Sequence, residues 1–130
     1  MIVLDASAAV EWLLQTLAGQ SIEKRIYSRR ETLHVPHLLD LEVTQVLRRL
    51  ARQGVVSKQR ADEALFDLLD LRIVRYPHHV LLPRIWKLRQ TFSAYDAAYI
   101  VLAERLQAPL VTRDRNLAFA SSHNAQIELF

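Results

Sequence analysis

Apolar positions along the chain switch between strand-like runs and helical spacing. "IVL" at 2–4 is a short apolar run with β-branched residues and predicts a first strand. From Ser7 to Leu14 the apolar residues recur at helical intervals, and a second helical stretch follows at about 18–29. "LHV" at 33–35 predicts a brief second strand, stopped by Pro36. "HLLDLEVTQVLRRLAR" then reads as a strong helix ending near Gly54, and Ser57 is placed to cap another through Leu69. "RIVRY" at 72–76 alternates as a third strand and stops at Pro77, with a helix following to about Arg89. "SAYDAAYIVLAERL" is a further helix closed before Pro109, "PLVT" at 109–112 a fourth strand, 115–121 a short helix, and "QIEL" a last strand.

Strands alternating with helices predict an α/β fold, a parallel sheet covered by helices on both faces. No repeat, linker or low-complexity segment interrupts the pattern, so residues 1–130 form one domain. In such sheets the functional crevice lies at the carboxyl ends of the strands.

Composition narrows this further. The chain is 51% hydrophobic with two glycines and four prolines, enough to build a core and unlike a disordered segment. It has no cysteine, which excludes disulfides and thiolate zinc sites and suits a reducing cytoplasm, the expected location. No basic region precedes the first apolar stretch, and Asp5 and Glu11 interrupt it, so a signal peptide is not expected. No apolar run is long enough for a bilayer, so no membrane partner is expected. The net charge is only +3, but most of the basic residues are arginine, whose planar fork matches phosphate. Arg25, Arg29 and Arg30 cluster, as do Arg48, Arg49 and Arg52. Solvated helix faces account for such clusters; so does a polyanionic partner.

Four carboxylates fall where the crevice is predicted. Asp5 follows the first strand directly, and Asp114 follows the fourth after Thr112 and Arg113. Glu42 shares a helix face with Leu38 and Val46, an inward stripe on which a carboxylate needs a partner. Asp96 lies in the first turn of a helix apolar on most sides. Each has a structural explanation: Asp5 and Asp114 as helix N-caps, Ser93 with Asp96 as a capping box, Glu42 paired with Arg48 or another arginine. Together, four acids from distant segments on one sheet edge would repel one another and need a positive charge among them. With oxygen ligands alone, that charge is a hard cation, Mg²⁺ or Mn²⁺. The residues therefore point to a metal-dependent phosphodiesterase acting on nucleic acid.

Other combinations carry less. His34 with His37, and His78 with His79, lack a third ligand at a recognisable spacing, so turn or surface roles are expected. Ser7 lacks the G-x-S-x-G setting of a nucleophile, and no P-loop or G-x-G-x-x-G is present. Trp12 and Trp86 read as packing residues. Tyr95 and Tyr99 read as core or dimer contacts, with stacking on a base as the alternative. Asp40 and Glu11 are expected to be solvated or paired with arginine.

"MIVLDASAAVEWLL", "VPHLLDLEVTQVLRRL" and "YDAAYIVLAERLQAPLVTRDRNLA" resemble, in order and spacing, the three blocks of the PIN-domain ribonucleases, and more closely the VapC-type toxins of toxin–antitoxin pairs. Residues 55–90 carry no such motif. The resemblance implies a three-layer α/β/α fold with a central, mostly parallel sheet of about five strands. It implies acid ligands at Asp5, Glu42, Asp96 and Asp114, supported by Ser7 and Thr112. It implies Mg²⁺- or Mn²⁺-dependent endoribonuclease cleavage of RNA, with a metal-bound water as nucleophile. It also implies a homodimer, neutralisation by a VapB-type antitoxin, and contact with operator DNA only through the antitoxin complex. Two positions depart from the family pattern. Gln45 stands where many relatives have Asn, and Asn116 where many PIN nucleases have a further acid. Asn116 can still offer an uncharged oxygen, which predicts one firm metal site and any second metal recruited by substrate phosphate.

Two other classes use the same acids. One is a PIN-like binding module whose acidic cleft docks a basic partner peptide without catalysis. The other is a metal-dependent phosphatase or DNA nuclease.

Overall fold

The computed structural model describes residues 1–130. Its centre is the first strand, β1 (Ile2–Leu4), whose three side chains are fully buried. A strand buried on both faces reads as an unbroken apolar run, and β4 (Leu110–Thr112) beside it is equally buried. The remaining strands are β2 (Leu33–Pro36), β3 (Ile73–Tyr76) and β5 (Ile127–Leu129). The sheet order is β3-β2-β1-β4-β5, and every pair is parallel.

Helices α1 (Ala6–Leu13), α2 (Leu17–Ser28), α3 (Leu38–Arg52) and α4 (Lys58–Asp70) fill the first two crossovers and pack on one another. Helices α5 (Leu82–Lys87) and α6 (Ala94–Leu106) return the chain from β3 to β4. A short helix α7 (Arg115–Phe119) joins β4 to β5. The first crossovers step outward in one direction and the third steps back across β1. Right-handed connections therefore put their helices on opposite faces, giving the three-layer α/β/α arrangement. Gly19 allows the tight start of that stack: a Cβ there would stand 1.9 Å from the Glu11 carbonyl oxygen, so α2 lies directly on the end of α1. Helix α6 is apolar nearly all round and buried from Ala97 to Ala103, as a helix spanning the sheet must be.

The reversal of strand order falls between β1 and β4. Such a switch point opens a crevice at the carboxyl ends of the two strands. The segments that leave them, and the N-terminal turns of α3 and α6, converge there.

Several local expectations change. Helix α1 starts at Ala6 rather than Ser7, because Asp5 is its N-cap: one Asp5 oxygen accepts the Ala8 N–H at 2.9 Å. Pro36 does not stop β2 but belongs to it, opposite Tyr76. The His37 N–H donates to the Tyr76 carbonyl, so the residue before it points its missing donor towards the other side, where β1 is already turning away. The segment after Pro77 is not one helix to Arg89. A single 3₁₀ turn at His79–Leu81 precedes α5, which takes Pro83 in its first turn and stops at Lys87. The helix predicted over 115–121 ends at Phe119. Trp12 is buried as expected, with its indole N–H donating to Glu23 at 3.2 Å. Trp86 is not a packing residue: it is 67% exposed on the brief helix α5, with the Arg89 guanidinium 4.5 Å from its ring centre. Arg25 is not a solvated cation either. Its guanidinium forks onto Glu128 at 2.9 and 3.0 Å and donates to Glu31 at 2.6 Å, tying α2 to the edge strand β5.

Candidate active site

Asp5 leaves β1 into the crevice and is 5% exposed. One of its oxygens accepts the Ser7 hydroxyl at 2.7 Å as well as the Ala8 N–H, and the other accepts the Thr112 hydroxyl. Thr112, fully buried at the end of β4, also accepts the Asp114 N–H at 2.9 Å. Ser7 accepts the Arg113 N–H at 2.9 Å. The turn after β4 is thus pinned to the turn after β1 by two hydroxyls, one from each. Burial pushes the Asp5 carboxyl up; its hydrogen bonds from Ser7, Thr112 and Ala8 only partly offset that, and nearby Asp114 adds to the rise.

Asp114 caps α7, accepting the Asn116 N–H at 2.8 Å. Asp96 sits in the first turn of α6, where its N–H donates to the Ser93 cap at 3.1 Å. Burial raises its carboxyl, and the charge of Asp114 raises it further. Glu42, one turn into α3, accepts the Tyr99 hydroxyl at 2.7 Å rather than pairing with an arginine. Burial raises Glu42; the bond from Tyr99 opposes the rise, and Asp96 and Asp5 reinforce it. Tyr99 is 2% exposed on α6, and its phenol is pushed well above the usual range by burial and by the carboxylate it serves.

Asp5, Ser7, Glu42, Asp96 and Asp114 all line one cleft of about 550 Å³, with Gln45, Tyr95, Tyr99 and the apolar Leu38, Leu41 and Val46. Thr112 lies beneath it through its bond to Asp5. Asn116 is exposed and outside the lining; its N–H, not its amide, reaches Asp114. The structural roles of Asp5 and Asp114 are real, since both cap helices, and they coexist with a place in the cleft. A carboxylate has two oxygens and about four lone-pair sites.

The other acids show the contrast. Seven ion pairs join the chain's charges, and none includes Asp5, Glu42, Asp96 or Asp114. Asp40 takes a bidentate pair from Arg75 at 2.7 and 2.9 Å, and Glu11 lies 3.9 Å from Arg113, both as expected for arginine partners. Two of the histidines weighed as ligands are committed elsewhere, and His34 is buried on β2 rather than in a turn or on the surface. His34 is bonded to Thr32 and Tyr76, and His78 accepts the Leu38 N–H at 2.9 Å.

Tyr99 is a core residue as expected, but sequence reading misses its place in the site as the hydrogen-bond partner of Glu42. The i, i+3 relation to Asp96 within the "YDAAY" block is the signal that could have placed it there. Tyr95 is not a core residue: it is 63% exposed at the mouth of the cleft.

The donor set fits a cation. All four groups are carboxylates, three are held above their ordinary range by burial and mutual repulsion, and none has a basic neighbour paired to it. No three of them are gathered as a ready-made cage. That spacing suits a cation such as Mg²⁺, which keeps several waters and takes one or two carboxylates directly.

A parallel α/β fold with four acids free of ion pairs at its switch point has the donor chemistry of an oxygen-ligand cation site. The PIN domain family model matches residues 2–121, and the chain belongs to that family. It is 41% identical over 129 residues to ribonuclease VapC12 of Mycobacterium tuberculosis, covering 99% of this chain and 98% of that one. It is 45% identical over 118 residues to VapC ribonuclease Mb0985 of Mycobacterium bovis, covering 91% and 89%. Its fold matches the crystal structure of VapBC2 from Rickettsia felis bound to a promoter DNA fragment, with a TM-score of 0.67 at 14% identity over 99% of this chain and 98% of that one.

Proposed function

We propose that the chain is an endoribonuclease of the VapC type, the toxin of a toxin–antitoxin pair, hydrolysing RNA phosphodiester bonds with Mg²⁺ or Mn²⁺. The observation that carries the reading is the set of four unpaired carboxylates in one cleft, in a chain that matches VapC ribonucleases over almost its full length. The expected partners are RNA, a VapB-type antitoxin and a second copy of the chain, with operator DNA met through the antitoxin complex. No helix is long and apolar enough to cross a membrane.

Asp5, Asp96 and Asp114 would hold the metal, directly or through water, with Glu42 beside them. When bound, the cation lowers the pKa of water and offsets the charge that develops on the phosphoryl oxygens. The chain's own groups do the rest. Ser7 and Thr112 hold Asp5 in one orientation, so its carboxylate needs no rearrangement as charge develops. Tyr99 occupies Oε1 of Glu42 and leaves Oε2 to orient the attacking water. The exposed arginines of α3, Arg48, Arg49 and Arg52, are free to take backbone phosphates.

The test sets purified protein, freed of any antitoxin, against RNA, single-stranded DNA and a phosphomonoester, with Mg²⁺, Mn²⁺ or EDTA. Internal cleavage of RNA alone, abolished by EDTA, is the expected outcome. Turnover of the monoester or of DNA alone would replace the reading with the phosphatase or DNA nuclease, and no turnover of any substrate would leave a binding module.

A further inference from the structure

The cleft has an acidic floor and an apolar mouth. At the mouth stand Tyr95, 63% exposed, and Leu41, 74% exposed. Large apolar side chains held this far out of the core lose the hydrophobic stabilisation that burial would give them. Both belong to the elements that carry the acids: Tyr95 precedes Asp96 on α6, and Leu41 precedes Glu42 on α3. Consecutive side chains on a helix diverge by about 100°, yet Tyr95 and Asp96, like Leu41 and Glu42, line the same cleft. The two tyrosines of α6 are built differently. Tyr99 is buried and hydrogen-bonded to Glu42, whereas Tyr95 offers an open ring face.

Resting on the nuclease reading above, we infer that Tyr95, flanked by Leu41, is the stacking platform for an unpaired nucleobase next to the scissile phosphate of single-stranded RNA. A nucleotide has the same polarity as the cleft. Its phosphate is the anion that the cation among the acids would attract, and its base is a flat apolar surface tethered one sugar away. Unstacked bases are recognised by aromatic faces in this way, and stacking tolerates any base because each has a π-face. The platform therefore selects for single-strandedness at the cleavage point rather than for a base identity. A duplex keeps its bases stacked on each other and cannot offer one to Tyr95. Tyr95 acts on binding and positioning, and the acids act on the reaction.

The test uses fluorescence anisotropy with a 5′-labelled single-stranded RNA oligonucleotide cut by the wild type, together with KM and kcat for its cleavage. Tyr95→Ala should weaken binding roughly tenfold to a hundredfold, as loss of one base–aromatic stack does, and raise KM more than it lowers kcat. Tyr95→Phe keeps the ring and should recover the affinity to within about threefold. An abasic nucleotide is then moved one position at a time along the RNA. At one position flanking the cut it should weaken wild-type binding as much as Tyr95→Ala does, and should cost the Tyr95→Ala protein nothing more. Unchanged RNA affinity in Tyr95→Ala overturns the platform while leaving the nuclease intact, as does a further loss on the abasic RNA. If Tyr95→Ala binds RNA normally but no longer binds its antitoxin, the mouth is a protein contact instead. If wild-type protein binds RNA through Tyr95 yet never cuts it, the nuclease reading falls and the platform stands. If it neither binds nor cuts RNA, both fall.

Discussion

Glu42 and Tyr99 are 57 residues apart and meet at 2.7 Å, and a double-mutant cycle tests what that meeting does. The hydroxyl of Tyr99 is buried, and a hydrogen bond to a charged acceptor contributes about 1.5–3 kcal/mol. Glu42 is only half-buried and faces the cleft, so water replaces part of that bond when Tyr99 becomes Phe. The net loss is then about 1 kcal/mol, or about 3–5 °C in Tm for a domain of this size. Glu42→Ala removes one of four repelling carboxylates, which stabilises, and strands the buried Tyr99 hydroxyl, which costs about 1–3 kcal/mol. In the double variant neither penalty remains. Denaturant unfolding of the four proteins should therefore give a favourable coupling of about 1–2 kcal/mol. The functional arm is the cleavage rate at saturating RNA and metal. Tyr99→Phe leaves every acid in place but frees Glu42 to change rotamer, and kcat should fall roughly tenfold with KM little changed. Additivity within about 0.3 kcal/mol, or a Tyr99→Phe enzyme with wild-type kcat, would refute the claim that Tyr99 holds Glu42 for its task.

Two further outcomes concern the fold. Arg25→Met should destabilise the protein by about 2–3 kcal/mol in denaturant unfolding, because it leaves Glu31 and Glu128 without the guanidinium whose side chain is 11% exposed between them. A loss under 0.5 kcal/mol would mean that α2 is held to β5 by apolar packing alone. The pH dependence has two parts of opposite sign. Asp5, Glu42 and Asp96 have carboxyls raised in the folded state, chiefly by burial, so they bind protons more readily than in the unfolded chain. Stability of the metal-free protein should therefore rise as pH falls from neutral towards the ordinary carboxylate range. Glu104 is held low, first by the Arg84 fork at 2.9 and 3.0 Å, and burial only partly opposes it. Its contribution is present above the ordinary range and is lost as pH falls through its lowered value. Thermal unfolding of metal-free protein against pH should thus pass through a mildly acidic maximum, which Glu42→Gln should flatten on its neutral side. A curve that rises monotonically to neutral pH would contradict the unpaired state of the cleft acids.

Periodicity reveals the features of the fold that are set by local chemistry. Buried runs such as "IVL" and "LVT" and the all-round apolar α6 announce the centre of a parallel sheet, and the strand order then places Asp5 and Asp114 at one edge. The positions that misled are decided by neighbours far along the chain. Pro36 looks like a terminator, and is tolerated because the donor it lacks faces a side where β1 has ended. Trp86 and Tyr95 look like core residues by type, and are exposed because the short α5 turns Ile85 rather than Trp86 inward and the cleft mouth holds Tyr95. Glu42 shows by its apolar face that it needs a partner, but nothing in its own segment says that the partner is Tyr99 rather than an arginine. The Ser7–Asp5–Thr112 linkage joins residues 107 positions apart, and only the adjacency of β1 and β4 brings them together.

The central claim is that the acid cleft carries metal-dependent RNA cleavage, and Asp5→Asn tests it most directly. Asparagine caps a helix as well as aspartate does and nearly matches its shape, so the variant should fold with α1 intact. Its cleavage of RNA in Mg²⁺ or Mn²⁺ should fall roughly a hundredfold to a thousandfold or more, with the circular dichroism spectrum and unfolding cooperativity unchanged. A folded Asp5→Asn protein that cuts RNA at the wild-type rate would contradict the claim.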